Sequence, residues 1–247
     1  MDKQSVYIST IAADAPETAR QYGLGIEIAE FCTAWNMEQP QMESEVAEKL
    51  DGISAKLLHA PFNELFPCAI DPKARELAAY RYRQAIALAQ RYSAAKVIVH
   101  GGYHPRIYYP VWYVAESITF WREFLQDAPN LPIVLENVLE EKPEWAVEIV
   151  EGVNDPRLCL CLDVGHVNAY SDVPIEAWLE AWAPYLSHLH IHNNDGTLDS
   201  HSALHCGSLP MKALLERAKA MCPNATMTLE VMQAKPSVLW LLENDIL

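Results

Sequence analysis

Along the chain, short apolar runs rich in β-branched residues alternate with longer stretches whose apolar positions recur every three or four residues. A period of two marks a strand and a period near 3.6 an amphipathic helix, so the pattern predicts the two in regular succession. The strands read as VYIST (6–10), GIEIAEF (25–31), KLLHAPF (56–62), KVIVHGG (96–102), PIVLENV (132–138), LCLCLDVGH (158–166), LSHLHIHN (186–193) and TMTLEVM (226–232). A helical stretch follows each, at about 15–22, 41–51, 72–93, 109–127, 143–151, 174–185, 210–221 and 236–246. Asp71-Pro72, Lys142-Pro143 and Val173-Pro174 set proline at or beside a first helical position, where its missing N–H is no loss.

Eight such units in 247 residues match the size of a (β/α)8 barrel. An open doubly wound sheet is the competing arrangement, but no G-x-G-x-x-G follows the first strand. The expected fold is α/β, a single-domain TIM barrel over residues 1–247 with its active site at the C-terminal ends of the strands.

Alternation then sorts side chains between lumen and helices. In the sixth strand Leu158, Leu160 and Leu162 share one face and Cys159, Cys161 and Asp163 the other; in the seventh, Leu189 and Ile191 face the helices while His188, His190 and His192 point inward. The same reading puts Glu27, His59, His100, Glu136 and Glu230 near the ends of strands two, three, four, five and eight. Ionisable groups inside a barrel need pairing or a metal to offset their desolvation. Converging carboxylates and imidazoles are ligand types for Mn²⁺, Zn²⁺ or Mg²⁺. His188, His104 and His205 are expected to be structural or supporting, and Glu27 either binds substrate or anchors a ligand histidine.

Composition narrows the partners. With 33 acidic and 18 basic residues the net charge is -15, which repels nucleic-acid backbones. The six cysteines form no C-x-x-C pair and read as small apolar fillers rather than a disulfide framework. No run of about 18 apolar residues appears, and MDKQSVYIST is too polar for a secretory segment, so a cytoplasmic protein without membrane contact is expected. Trp35, Phe62, Tyr103, Tyr108, Tyr109 and Trp112 follow strands two to four and are candidates for a substrate-stacking wall at the pocket mouth, or for packing among loops or on a second subunit of a homo-oligomer. Trp178 and Trp182, four residues apart on a helix, are expected in the core or an interface.

The ordered set LLHAPF, VIVHGG, VLENV, CLDVGH, HIHNND, D-x-H-x-x-L-x-x-G and LEV resembles the xylose-isomerase-like TIM barrels, which include sugar-phosphate isomerases and epimerases and the type IV AP endonucleases. By that resemblance Glu136, Asp163, His190 and Glu230 hold one divalent ion (Mn²⁺, Zn²⁺, Mg²⁺ or Co²⁺), Glu136 and Glu230 serve as acid/base pair, and His166 binds a sugar or polyol substrate. The endonuclease branch implies up to three Zn²⁺ instead. His59, His100 and Glu136 would hold the first, Glu136 with Asp163, His190 and Glu230 the second, and His166, Asp199 and His201 the third. A lyase of the inosose-dehydratase kind is a further alternative, because the same enediolate can expel a β-hydroxyl. The charge, and the single lysine in APFNELFPCAIDPK, favour the sugar enzyme.

Overall fold

The structure, a computed structural model, describes residues 2–247. Parallel strands β1 (Val6–Ser9), β2 (Gly25–Ile28), β3 (Lys56–His59), β4 (Val97–His100), β5 (Ile133–Glu136), β6 (Leu158–Asp163), β7 (Leu186–Ile191) and β8 (Thr226–Leu229) close in sequence order, β8 pairing back onto β1. Around them lie helices α1 (Ala15–Tyr22), α2 (Ala34–Met37), α3 (Met42–Lys49), α4 (Pro72–Arg91), α5 (Pro110–Gln126), α6 (Glu144–Val153), α7 (Val164–Tyr170), α8 (Ile175–Trp182), α9 (Met211–Met221) and α10 (Ala234–Glu243). This is a (β/α)8 TIM barrel. The start signals act where expected: Pro72 opens α4, and the Asp71 side chain accepts the Lys73 N–H at 2.8 Å.

The strands are shorter than the apolar runs that announced them, and β6 departs most informatively. It stops at Asp163 rather than residue 166, and Val164-Gly165-His166 forms the first turn of α7. Asp163 caps that helix by accepting the His166 N–H at 2.7 Å, an N-terminal hydrogen bond that an apolar pattern does not reveal. A second short helix, α2, interrupts the connection after β2.

Outward positions such as Ile8, Ile26, Leu58, Val99, Leu135, Leu162, Ile191 and Leu229 join the helix faces in the main core. Trp178 and Trp182 are fully buried there, and the Trp182 indole N–H donates to the Pro143 carbonyl at 2.8 Å. Inside the barrel Tyr7, Leu57, Ile98, Val134 and Cys161 form a separate apolar plug. Tyr7 lies across β2 only because residue 25 is glycine; a Cβ there would stand 2.4 Å from the ring. Two residues further along each strand, alternation brings Ser9, Glu27, His59, His100, Glu136 and Asp163 to the same side. Along β1 to β6 the lumen is thus apolar in the layer of Tyr7 and Ile98 and ionisable one layer above. Among the described residues all six cysteines are free, with Cys206 exposed rather than packed. No helix among the described residues is long and apolar enough to cross a membrane.

Candidate functional site

Glu136 ends β5, Asp163 ends β6, His190 is the penultimate residue of β7 and Glu230 directly follows β8. One ligand atom from each lies within 4.8 Å of the others, and all four residues are buried. His190 organises the group. Its Nε2 stands 3.1 Å and 3.2 Å from the two Glu27 carboxylate oxygens, so an Nε2–H donated to Glu27 leaves the Nδ1 lone pair on the opposite side. Nδ1 faces Glu230 Oε2 at 3.1 Å, Glu136 Oε1 at 3.3 Å and Asp163 Oδ2 at 3.8 Å. Both His190 Nδ1 and Asp163 Oδ2 are buried without a hydrogen-bond partner.

Three carboxylates around a lone pair repel one another unless a positive charge sits among them. In the protein alone that charge is a proton. Burial opposes it, yet the His190 pKa stands well above the ordinary imidazole value. Burial also pushes the nearby Cys161 thiol up to about 12, so it is neutral and Glu136, Glu27 and Glu230 carry the effect. Burial likewise opposes ionisation of Glu136, but chiefly His190 outweighs it and holds that carboxyl well below its usual range. Three carboxylate oxygens and one imidazole nitrogen, with two atoms unpartnered, fit a divalent cation.

Beneath this group runs a polar column. Thr228 donates to Glu27 Oε2 at 2.6 Å and meets His188 Nε2 at 2.9 Å; His188 Nδ1 meets Thr226 Oγ1 at 2.6 Å. Lys96 closes the column below, its ammonium donating to Thr226 Oγ1 at 2.9 Å and to Ser187 Oγ at 3.0 Å and its carbonyl at 2.5 Å. Burial lowers the His188 pKa to about 4, so this imidazole is neutral at pH 7. Lys96 can only donate and ionised Glu27 can only accept, so every bond between them points upward. Of the two roles the sequence left open for Glu27, its contacts are those of an anchor for His190.

On one flank His59 Nε2 lies 3.2 Å and His100 Nε2 3.7 Å from Glu136 Oε2, a second group within 4.8 Å. His59 Nδ1 donates to the Ala60 carbonyl at 2.8 Å, and burial drives His100 down to about 3. On the other flank Asp199 Oδ2 stands 3.2 Å from both His166 Nε2 and His201 Nε2. His201 holds φ at 45°, a strained value for a non-glycine, while its Nδ1 donates to the Glu230 carbonyl at 2.7 Å. His192, read as inward but given no role from sequence, lies at the centre of this flank, its Nε2 3.1 Å from Asp163 Oδ1. Asn137, also missed, exchanges two hydrogen bonds with the Asp163 backbone, at 2.9 and 3.0 Å.

The aromatic candidates separate. Phe62 stacks on His100 with centroids 4.2 Å apart and planes at 11°, at the edge of the ionisable cluster. Tyr103 is buried against Tyr113 of α5 and Trp145 of α6, and Tyr108 packs on Phe66. Trp112 is tied by its indole N–H to the Cys68 carbonyl at 2.8 Å, while Trp35 and Tyr109 are exposed. His104 accepts the Arg106 N–H at 3.2 Å and His205 is exposed, both outside the cluster.

Comparison with known proteins agrees with this architecture. The uncharacterized protein MJ1311 of Methanocaldococcus jannaschii is 28% identical over 195 residues, covering 74% of this chain and 66% of that protein, so the chain matches just under two thirds of its relative's length. A D-tagatose 3-epimerase-like protein superposes with a TM-score of 0.80 at 23% identity, over 98% of this chain and 97% of that one. The TTHB071 protein from Thermus thermophilus, soaked with ZnCl2, gives 0.77 at 23% identity over 98% of each chain. At these identities the superpositions speak for the fold. The profile described as xylose isomerase-like TIM barrel matches residues 18–243, nearly the whole length, and the chain belongs to that family.

Proposed function

We propose that the chain is a divalent-metal-dependent isomerase or epimerase of a small sugar or sugar phosphate. The observation that carries this reading is the buried meeting of Glu136, Asp163, His190 and Glu230 with two polar atoms left unpartnered. These four residues would hold one ion, Mn²⁺, Zn²⁺, Mg²⁺ or Co²⁺. When bound, it would supply Lewis-acid polarisation of a substrate carbonyl and stabilise developing negative charge.

The chain's own groups do the rest. One of Glu136 and Glu230 takes the proton from the carbon beside the carbonyl, and the other returns a proton from the opposite side. Glu136, held ionised chiefly by His190, suits the role of base at neutral pH. Glu27 keeps His190 in the tautomer whose Nδ1 faces the ion. His166 donates from Nδ1 to the Asn137 carbonyl at 2.8 Å and lies 3.2 Å from Asp199 through Nε2, so it would meet a substrate hydroxyl by sharing its Nε2–H between that hydroxyl and Asp199. The Phe62–His100 stack offers an apolar wall.

Solvent-deuterium incorporation tests the reading. Metal-loaded protein in D₂O should exchange the carbon-bound hydrogen of a ketose or ketose phosphate, and Glu136→Gln and Glu230→Gln should each abolish exchange. Incision of abasic duplex DNA with no sugar exchanged would refute it. One observation favours that second reading, a zinc phosphoesterase of the AP endonuclease kind: His59, His100 and Glu136 form their own ligand group. Metal counting separates the two, with one ion per chain for the sugar enzyme and three zincs for the phosphoesterase. Loss of water from the sugar in place of exchange would identify a lyase.

A further inference from the structure

We propose that His192 is a positioning residue for the metal centre, holding one oxygen of Asp163 so that the other is presented to the ion, and that Gly165 exists to give its ring room. The inference rests on the metal reading above and extends it to two residues outside the ligand set.

Asp163 is held asymmetrically. Its Oδ1 accepts the His166 N–H at 2.7 Å and lies 3.1 Å from His192 Nε2, whereas its buried Oδ2 has no hydrogen-bond partner. A carboxylate turns easily about its last torsion, and two donors on one oxygen remove that freedom. His192 is fully buried, and its ring lies against His201 with centroids 4.4 Å apart and planes at 26°. The same Nε2 stands 3.4 Å from Asp199 Oδ1 without forming a hydrogen bond, so the ring meets the loop carrying Asp199 and His201 through the His201 stack.

The backbone is built around this ring. A Cβ at Gly165 would fall 1.8 Å from His192 Cε1, 2.3 Å from Nε2 and 2.4 Å from Nδ1. No rotamer change relieves such an overlap while the ring stays against His201, so any side chain at 165 expels it. Asp163, Gly165 and His166 belong to one helix start. That start offers Asp163 a backbone donor at His166 and, by omitting a side chain at 165, the imidazole donor as well. A ring that merely filled space would need no donor aimed at Oδ1.

The test measures Mn²⁺ or Zn²⁺ affinity by calorimetry with chelator competition on wild type, His192→Leu, His192→Gln and Gly165→Ala, beside urea midpoints of the chelated proteins. His192→Leu should weaken binding about 10–100-fold, the range for removing a partner that orients a metal ligand. His192→Gln, which keeps an N–H near Oδ1, should recover most of that loss. Gly165→Ala should weaken binding as far as His192→Leu, and Gly165→Ala combined with His192→Leu no further, because both act through one contact. Should Gly165→Ala fail to fold, the Leu and Gln variants carry the test alone. Wild-type affinity in His192→Leu overturns the proposal, as do equal losses in the Leu and Gln variants that follow their urea midpoints. A wild-type protein that binds no divalent ion overturns the metal reading itself.

Discussion

Replacing Lys96 by methionine separates what holds the barrel together from what organises its site. The ammonium makes three hydrogen bonds, to Ser187 O, Ser187 Oγ and Thr226 Oγ1, at 2.5–3.0 Å, linking the start of β4 to β7 and β8 across the lumen. A hydrogen bond to a charged group contributes about 1.5–3 kcal/mol. Three do not add to that extent here, because burial also lowers the lysine pKa, a sign that the ammonium has given up favourable hydration. Methionine keeps most of the apolar stem, and water entering from the open end can rehydrate Ser187. A net loss of about 2 kcal/mol follows, which for a chain of this size lowers the thermal midpoint by roughly 4–8 °C. Urea and thermal unfolding of the chelated protein measure it. Metal affinity should stay at the wild-type value, because Thr228 and His190 still bond Glu27 when the bottom of the column is removed. An unmoved midpoint would mean that desolvation cancels the three bonds. A fall in metal affinity would refute the separation of column and site.

Glu27→Gln should weaken metal binding about 10–100-fold in a chelator-competition titration, because the amide no longer enforces an Nε2–H on His190 and so releases Nδ1 from facing the ion. The metal-free protein should lose stability as pH rises. His201 is lifted from 6.5 to about 9 because Asp199 and Glu230 outweigh its burial, so its contribution is complete below about 6.5 and disappears through about 9. Urea midpoints across that window should fall, and a flat or rising profile would contradict the assignment. Asp14→Ala should cost about 0.5–2 kcal/mol in urea unfolding, since this carboxylate accepts the Ala234 and Lys235 N–H groups at 2.7 and 3.0 Å and caps α10 from the start of α1.

Much of the barrel was legible because one rule is repeated eight times. The short apolar runs located each strand, and the two-residue alternation of side chains along them put Asp163 and His190 on the lumen side from the sequence alone. Parity stops there. It states that a residue faces the lumen but not which of several inward neighbours it meets, since that depends on how the closed sheet is staggered. Glu27 and His190 belong to β2 and β7, which are not neighbours, and their contact across the barrel at 3.1 Å has no local signature. Lys96 was invisible for the same reason: a lysine at the start of an apolar strand reads as solvated until its partners on β7 and β8 are seen.

The end of β6 marks another limit of pattern reading. LCLCLDVGH continues its apolar alternation to residue 166, but an Asp that can accept an N–H three residues later stabilises a helix start, and this local hydrogen bond overrides the periodicity. The consequence reaches the site. As a strand, Gly165 and His166 would point to opposite faces; as a helix turn, they present a gap to His192 and a backbone donor to Asp163. Local capping chemistry, rather than the strand pattern, therefore decides how the carboxylate at the centre of the cluster is aimed.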